Sequence, residues 1–204
     1  DEARLHELKR RVVDKLGAAP GDLTEPWFLP EKMTLEAFLK NSERVFIGLH
    51  GGIGEDGTLQ ALLEKRGIPF NGSGSAASRL CMDKYKTAQA LRGLEKEGIH
   101  VADKKLESVS AFRGFKALDY QRYFRALAHT LGSKNIIVKP HSDGCSAGIA
   151  RLYSGGDLEK YVETVRRSDR SIPQGTLTGQ HGIIEMPTEP LREIMFEPFI
   201  ITDQ

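Results

Sequence analysis

The stretch that most restricts the fold is HGGIGEDG at residues 50–57, which contains four glycines. An apolar run at residues 45–49 precedes it, and a pattern with helical spacing follows it up to about residue 66. A second short apolar run lies at residues 68–70. The order strand, glycine-rich turn, helix, strand is typical of a parallel βαβ unit, which binds ligands at the carboxyl ends of its strands. His50 lies at one such end.

Two helical patterns precede this unit. Residues 5–16 place leucine and valine on one face among charged residues and predict a surface helix that ends at Gly17. After a proline-containing loop, Thr34 is placed to cap a short helix with one apolar face.

After residue 75 the pattern changes from a parallel unit to hairpins, and we place a domain boundary near residue 80. The predicted elements are a helix over 76–94 capped by Ser73 or Ser75, a helix over 118–131, hairpin strands over 135–140 and 149–153, a helix capped by Asp157 and running to about 167, and a strand over 194–201.

Charge and composition argue against several classes of function. Lysine and arginine number 29 against 28 aspartates and glutamates, so the formal net charge is +1. Because no broad field of one sign is present, we expect no nucleic-acid partner and no membrane partner. The two cysteines are far apart and predict neither a disulfide framework nor a zinc site, which favours a reducing compartment.

A strand lysine beside a glycine-containing turn is a candidate anion site. Lys139 closes an apolar run, and Gly144 and Gly148 follow in HSDGCSAG. Backbone N–H groups beside glycine are unshielded, so a fixed positive charge next to them suits a polyphosphate. A lysine hydrogen bond contributes about 1.5 to 3 kcal/mol and a helix terminus about 0.3 to 1 kcal/mol, so the lysines should dominate. The alternative is a surface lysine next to a hairpin turn.

Four segments resemble one family when they are taken in order: HGGIGEDGTLQALLEKRGIPFNGSGSAAS, MDKYKT, IIVKPHSDGCSAGIARL and FEPFI. They are similar to the D-alanine:D-alanine ligases, which are ATP-grasp enzymes of peptidoglycan precursor synthesis. The resemblance runs from about residue 44 to the end. The motifs HSDGCSAGIARL and HGIIEMPTEP are similar to plant-type members, which carry two ligase units in tandem, so this chain would be part of one unit.

The resemblance implies an α/β protein in two parts. Residues 1–80 would form an incomplete N-terminal domain on the substrate side, with the parallel, Rossmann-like βαβ core that precedes the ATP-grasp lobe in this family. Residues 81–204 would form an α+β ATP-grasp lobe with antiparallel strands, which binds the nucleotide. The C-terminal lobe would be missing.

The resemblance also implies a nucleotide site. Lys84 and Lys139 match the two lysines that hold the ATP phosphates, and residues 143–148 match the flap that closes over them. Glu197 matches the hinge carboxylate beside the amino group of adenine. The residues assigned to ATP are Lys84, Lys139, Gly144, Cys145, Ser146, Glu197, Pro198, Phe199 and Ile200. For Glu197 alone, a partnered structural carboxylate is the alternative.

Pro198 is compatible with the hinge, because the family uses the carbonyl at that position and the amide at the position of Ile200. Cys145 departs from the family, whose bacterial members have two serines where this chain has Cys145 and Ser146. A thiol is the weaker donor, which puts the role of this residue in doubt.

His50 and Gly51 are assigned by the resemblance to the first D-alanine, and His50 and Ser146 to catalysis. A histidine at a strand end is otherwise a hydrogen-bonded structural residue. Glu55 and Asp56 are expected to place negative charge at a helix N-terminus.

The family needs further groups that this sequence does not match: an N-terminal glutamate, a magnesium site of acidic and asparagine residues, and an arginine. We expect these groups, including every Mg²⁺ ligand, outside this chain. The segment alone is therefore predicted to be an inactive ligase.

The resemblance implies ATP-dependent ligation of two D-alanines through an acyl-phosphate, with ATP and Mg²⁺ as cofactors. Alternatives are ligation of D-alanine to D-lactate or D-serine, a degenerate ATP-grasp unit that binds nucleotide for a catalytic partner, and an interaction module that keeps only the fold. A homodimer and a tandem second ligase unit are both open. The expected compartment is the cytoplasm, or the plastid stroma for a plant-type member.

Overall fold

The computed structural model of the chain describes residues 2–16, 32–142 and 146–200, which fall into two units divided after Ser42. The boundary that the sequence suggests near residue 80 lies inside the second unit and stays a prediction.

Two helices form the described part of the first unit, α1 (Glu2–Leu16) and α2 (Leu35–Lys40). The Thr34 hydroxyl accepts a hydrogen bond from the N–H of Ala37 at 3.2 Å, which confirms the predicted cap of α2. The predicted end of α1 at Gly17 lies outside the described residues.

The second unit opens with a single parallel bridge between Val45 and Phe70. The two full strands predicted on either side of the glycine turn are therefore wrong in extent. The side chain of Asn71 takes the next place in the ladder, because its Oδ1 accepts from the N–H of Ile47 at 2.6 Å and its Nδ2 donates to the Ile47 carbonyl at 3.3 Å. The parallel unit as a whole stays a prediction.

The helix between these positions is α3 (Thr58–Arg66), as the leucine spacing predicted. Leu59 and Leu63 are buried, and the helix ends at Gly67 in the left-handed conformation. The carboxylate of Asp56 accepts from the first N–H of the helix at 2.8 Å, so it has the position expected of a negative charge at a helix start.

The long helix predicted over residues 76–94 is wrong, because the chain breaks it into α4 (Ser75–Met82) and α5 (Lys84–Leu91). Asp83 between them is extended, and its Oδ1 accepts from the N–H groups of Tyr85 and Lys86 at 3.1 and 3.0 Å. An aspartate that satisfies the orphan donors of a new helix start favours a break at its own position.

The predicted serine caps of α4 are also wrong. Gly74 occupies the cap position, and Ser75 is the first helical residue. Both the N–H and the hydroxyl of Ser75 donate to the Glu64 carboxylate, so Ser75 ties α4 to α3 instead of capping its own helix.

Four antiparallel strands form the main sheet in the order β1-β6-β2-β3. Their bounds are β1 (Lys105–Ser108), β2 (Ile136–Lys139), β3 (Ala150–Leu152) and β6 (Glu193–Pro198). The pair of β2 and β3 confirms the predicted hairpin. The strand predicted over 194–201 begins at Glu193 and ends at Pro198, which has no N–H of its own to donate. A separate pair consists of β4 (Ser171–Ile172) and β5 (Ile184–Glu185).

Two helices share one buried core with this sheet. The first, α6 (Ala117–Thr130), confirms the helix predicted over 118–131. The second, α7 (Gly155–Arg167), is capped by Ser154, not by Asp157 as predicted, since the Ser154 hydroxyl accepts from the Asp157 N–H at 3.2 Å. Fully buried members of this core include Phe112, Ile136, Val138, Leu152, Leu158, Tyr161, Ile194 and Phe196.

The strands alternate between two faces. On β2, Ile136 and Val138 point into the core, whereas Ile137 and Lys139 lie on the opposite face. Glu197 is the register partner of Ile137 and therefore shares that opposite face, which we call the open face of the sheet.

Candidate nucleotide and substrate site

The open face brings one carboxylate between two lysines. Oε1 of Glu197 accepts a hydrogen bond from the ammonium group of Lys139, and Oε2 accepts one from the ammonium group of Lys104. Lys139 on β2 lies diagonally across from Glu197 on β6. Lys104 directly precedes β1, whose first residue, Lys105, pairs with Phe196, so the next register position places Lys104 beside Glu197.

These three charged side chains are largely withdrawn from solvent, with 16% of Lys104, 17% of Lys139 and 15% of Glu197 exposed. Burial by itself raises the pKa of the Glu197 carboxyl, but the hydrogen bonds and positive charges of Lys104 and Lys139 outweigh burial. The pKa of Glu197 therefore lies below its ordinary value, and the carboxylate is charged at neutral pH.

The residues after Glu197 continue beside the start of β2. Pro198 is the register partner of Ile136, and the N–H of Phe199 donates to the carbonyl of Asn135 at 3.0 Å. The ring of Phe199 stacks under the guanidinium of Arg151, whose carbon lies 3.6 Å from the ring centroid.

Ile200 follows as an exposed residue. Of the predicted hinge positions after Glu197, Pro198 and Phe199 therefore lie beside the start of β2.

The glycine loop after β2 is described only in part. Gly144 and Cys145, both predicted to contact phosphate, lie outside the described residues. Ser146 is exposed and adopts a left-handed conformation with φ of 59°. The far end of the loop is fixed, because the N–H of Gly148 donates to the Glu185 carbonyl and the hydroxyl of Tyr161 donates to the Gly148 carbonyl, each at 2.7 Å.

Lys84 is the first residue of α5, and its backbone N–H donates to the carbonyl of His141 at 2.7 Å. The start of α5 therefore lies against the chain two residues after Lys139. The backbones that carry the two predicted phosphate-binding lysines are thus neighbours. Convergence of their ammonium groups on one ligand stays a prediction.

A cavity of about 440 Å³ lies where these segments meet the glycine turn, with Gly52, Asp83, His141 and Ser142 in its lining. Burial raises the pKa of the Asp83 carboxyl, but the backbone and side-chain hydrogen bonds of Lys86 and the nearby His141 outweigh it, so the pKa of Asp83 is lowered. The cavity lies within the second unit, and among the described residues its lining contains none of those predicted to contact ATP or D-alanine.

His50 and Gly51 line the other end of the glycine turn. The His50 side chain is 90% exposed, and its Nδ1 lies 3.8 Å from Oε1 of Glu55. His50 and Glu55 line a second cavity of about 640 Å³, whose lining also includes the exposed apolar side chains of Phe46 and Leu49. His50 therefore borders an open cavity and has the Glu55 carboxylate as a neighbour.

Two glycines of the turn are required by close backbone approach. A Cβ on Gly54 would lie 2.5 Å from the Cβ of Leu49, and a Cβ on Gly57 would lie 2.4 Å from the carbonyl oxygen of Ser75. Gly57 also has φ of +84°, which side chains disfavour. The buried side-chain amide of Gln60 stabilises the turn, because its Nε2 donates to the Gly54 carbonyl at 2.7 Å.

Sequence reasoning missed Lys104 and Tyr161. The local sequence around Lys104 shows only a pair of lysines before a strand. Which of the two lysines faces Glu197 depends on the register of β1 with β6, which the local pattern does not contain. Tyr161 lies on the buried face of α7, where an aromatic residue is expected for packing alone.

Neither a metal cluster nor a membrane-spanning helix is found in the described ranges. Residues 2–16, 32–142 and 146–200 contain no group of three or more His, Cys, Asp or Glu placed to hold a metal ion. The helices of these ranges are too short or too polar to cross a bilayer.

The sequence of the chain is similar to one protein family and to its individual members. The profile of the family described as "D-ala D-ala ligase N-terminus" matches residues 12–73. A D-alanine–D-alanine ligase from Dechloromonas aromatica is 32% identical over 173 residues, which cover 84% of this chain and 52% of that protein.

The fold is similar to solved ligase structures. The D-alanine–D-alanine ligase from Coxiella burnetii matches with a TM-score of 0.58 and 25% identity, over 91% of this chain and 48% of its own. The ligase from Bacillus anthracis complexed with ATP matches with a TM-score of 0.54 and 29% identity, over 85% of this chain and 46% of its own. The likeness confirms the α/β class with an antiparallel sheet, and the chain spans about half the length of each relative.

Proposed function

Because the chain belongs, over the segment that it shares with these relatives, to the D-alanine–D-alanine ligase family, we propose that the protein joins two D-alanines at the expense of ATP. The observation that carries the proposal is the charged Glu197 held between Lys139 and Lys104 on the open face of an antiparallel sheet. Both Glu197 and Lys139 are positions that the resemblance assigns to the nucleotide. A solved relative that matches this fold is complexed with ATP.

The proposed reaction has two steps. A carboxylate oxygen of the first D-alanine attacks the γ-phosphorus of ATP, the bond from that phosphorus to its bridging oxygen breaks, and ADP leaves with the bridging oxygen. The amine of the second D-alanine then attacks the carbonyl carbon of the acyl-phosphate. Inorganic phosphate leaves, and the amine gives its proton to a base.

The residues of this chain would bind and orient the nucleotide. Lys84 and Lys139 place positive charge on the phosphates, and Ser146 donates to a phosphate oxygen at the end of the glycine loop. Glu197 accepts from the adenine amino group.

At the hinge, the Pro198 carbonyl also accepts from that amino group, and the N–H of Ile200 donates to a ring nitrogen. Gly144, Cys145 and Phe199 complete the proposed contacts around the nucleotide.

On the substrate side, His50 and Gly51 would contact the first D-alanine. The exposed imidazole of His50 reaches an open cavity large enough for a small amino acid, and the Glu55 carboxylate lies 3.8 Å from its Nδ1. This role is one of binding and orientation, since a neutral imidazole offers one hydrogen-bond donor and one acceptor.

The described residues do not fit a magnesium site, because they contain no suitable cluster of acidic side chains. We expect the Mg²⁺ ligands outside this chain.

The compartment and the assembly follow as lesser proposals. We propose the cytoplasm, since the relatives named above are bacterial, and these relatives do not support the plastid alternative. Assembly as a homodimer or with a tandem ligase unit stays a prediction.

Calorimetry and phosphate release test the proposal in the full-length protein. Lys139→Met should abolish measurable ATP binding, whereas Lys134→Met, which removes an exposed lysine at the start of the same hairpin, should leave it intact. Phosphate release should require D-alanine. ATP binding without D-alanine-dependent release would favour a degenerate nucleotide-binding unit, and absence of ATP binding in the unaltered protein would contradict the proposal.

A further inference from the structure

We propose that Lys104 is a positioning residue, which keeps the Glu197 carboxylate charged and in place when a bound nucleotide draws Lys139 away to its phosphates. This inference rests on the proposed function, because it assumes that Lys139 and Glu197 meet ATP. The assignment of Lys104 itself comes only from the geometry of the open face.

The two lysines use different oxygens of one carboxylate. Lys139 donates to Oε1, and Lys104 donates to Oε2. Because the contacts are separate, Lys139 can leave its oxygen without disturbing the other hydrogen bond. The oxygen that Lys139 releases then becomes free to accept from the adenine amino group.

No substitute for Lys104 contacts this carboxylate in the part of the chain that the structure describes. The third cation on the open face, Arg151, stacks on the ring of Phe199. The neighbouring Lys105 lies on the core face, where its ammonium nitrogen is 4.8 Å from the ring centroid of Tyr123 and 3.4 Å from Oε2 of Glu107. Lys104 is thus the cation that remains with Glu197 once Lys139 has moved.

The loss of Lys104 should therefore affect the bound state more than the free state. In the free protein Lys139 still neutralises Glu197. When ATP takes Lys139, a carboxylate of which 15% is exposed is left without a positively charged partner, and such a group either destabilises the complex or takes up a proton. Protonation turns one carboxyl oxygen into an O–H donor, which weakens the group as an acceptor for the adenine amino group.

The test compares Lys104→Met with its neighbour Lys105→Met in the full-length protein, by calorimetry at pH 7 in two buffers of different ionisation enthalpy. Lys104→Met should bind ATP about tenfold more weakly and take up more protons on binding than the unaltered protein does. Lys105→Met should match the unaltered protein in both respects. Adenosine has no phosphate to draw Lys139 away, so its affinity for Lys104→Met should be unchanged.

A double variant keeps the test decisive even if Lys104→Met folds poorly. In Glu197→Gln there is no charge to leave unpaired, so adding Lys104→Met to Glu197→Gln should cause no further loss of ATP affinity. An equal loss for ATP and adenosine without added proton uptake, or a further loss in the double variant, would overturn the inference and leave the proposed function standing. Failure of the unaltered protein to bind ATP would overturn the proposed function, and the inference with it.

Discussion

At the scale of single residues, one buried hydroxyl fixes the far end of the glycine loop. The Tyr161 hydroxyl donates to the carbonyl of Gly148, which is itself buried. Tyr161→Phe leaves that carbonyl short of a donor, so the free energy of unfolding should fall by about 1 to 3 kcal/mol in urea denaturation. The control is Tyr153→Phe at a residue that is 37% exposed, and it should change the free energy of unfolding by less than about 0.5 kcal/mol. An equal effect of both variants would contradict the role of the Tyr161 hydroxyl.

A pair of glycine variants separates conformational strain from steric collision. Gly57 and Gly67 both have positive φ, but an added Cβ meets the Ser75 carbonyl oxygen at 2.4 Å at Gly57 and nothing within 4 Å at Gly67. Gly67→Ala should therefore lower the free energy of unfolding by about 1 kcal/mol, and Gly57→Ala by about 3 kcal/mol or more. Thermal or urea denaturation measures both, and similar losses would show that backbone movement relieves the collision.

At the scale of elements, the start of α7 is joined to a distant loop by one buried aspartate. Oδ1 of Asp157 accepts from both the N–H and the hydroxyl of Thr178, and Oδ2 accepts from the N–H of Tyr153. Asp157→Ala should lower the free energy of unfolding by about 3 kcal/mol, because it removes three hydrogen bonds to a charged acceptor. Thr178→Val removes only the hydroxyl bond and should cost about 1 kcal/mol. If the two losses are equal, the backbone donors contribute nothing measurable.

Elements were predictable where local spacing decides them. The helix α6 and the hairpin of β2 and β3 follow from apolar periodicity and turn residues, and both agree with the structure. The break at Asp83 was missed, because helical spacing continues across it while the cap uses a side chain. The cap of α7 was misplaced by three residues, since Ser154 and Asp157 both satisfy backbone donors near the helix start.

At the scale of the whole molecule, two carboxyls link stability to acid pH. The pKa values of Glu197 and Asp83 lie below their ordinary values of 4.5 and 3.8. A lowered pKa in the folded state means that the unfolded chain binds protons first as pH falls. The contribution of each carboxyl is therefore complete above its ordinary value and is lost as pH falls through its folded-state pKa.

The expected outcome concerns the difference between the unaltered protein and Glu197→Gln. The free energy that this substitution removes should be constant above pH 4.5 and should shrink at lower pH, in urea denaturation at a series of pH values. Glu163→Gln, at an exposed ion pair on α7, is the control and should show little change over the same range. A difference that grows as pH falls would contradict the lowered pKa of Glu197.

For the candidate site, the sequence motifs predicted which residues take part but not which of them contact one another. Lys139 and Glu197 could be named from the sequence, but their contact depends on β6 lying beside β2, a pairing of strands more than fifty residues apart in the chain. Lys104 depends on a second pairing, that of β1 with β6. Long-range register is set by the packing of the whole sheet, which local spacing does not encode.

The side chain that completes the parallel bridge has a consequence for how the protein ages. Asn71 is exposed and is followed by Gly72. Because glycine has no side chain, the backbone nitrogen of Gly72 reaches the side-chain carbonyl carbon of Asn71 easily. Attack of the Gly72 nitrogen on that carbon releases ammonia and closes a cyclic imide, and water then opens the imide to an acid. A carboxylate oxygen would then face the carbonyl of Ile47, to which Nδ2 now donates. Slow chemical conversion during storage would thus replace one of the two hydrogen bonds at Ile47 by a repulsion and weaken the attachment of the segment that leads into the glycine turn.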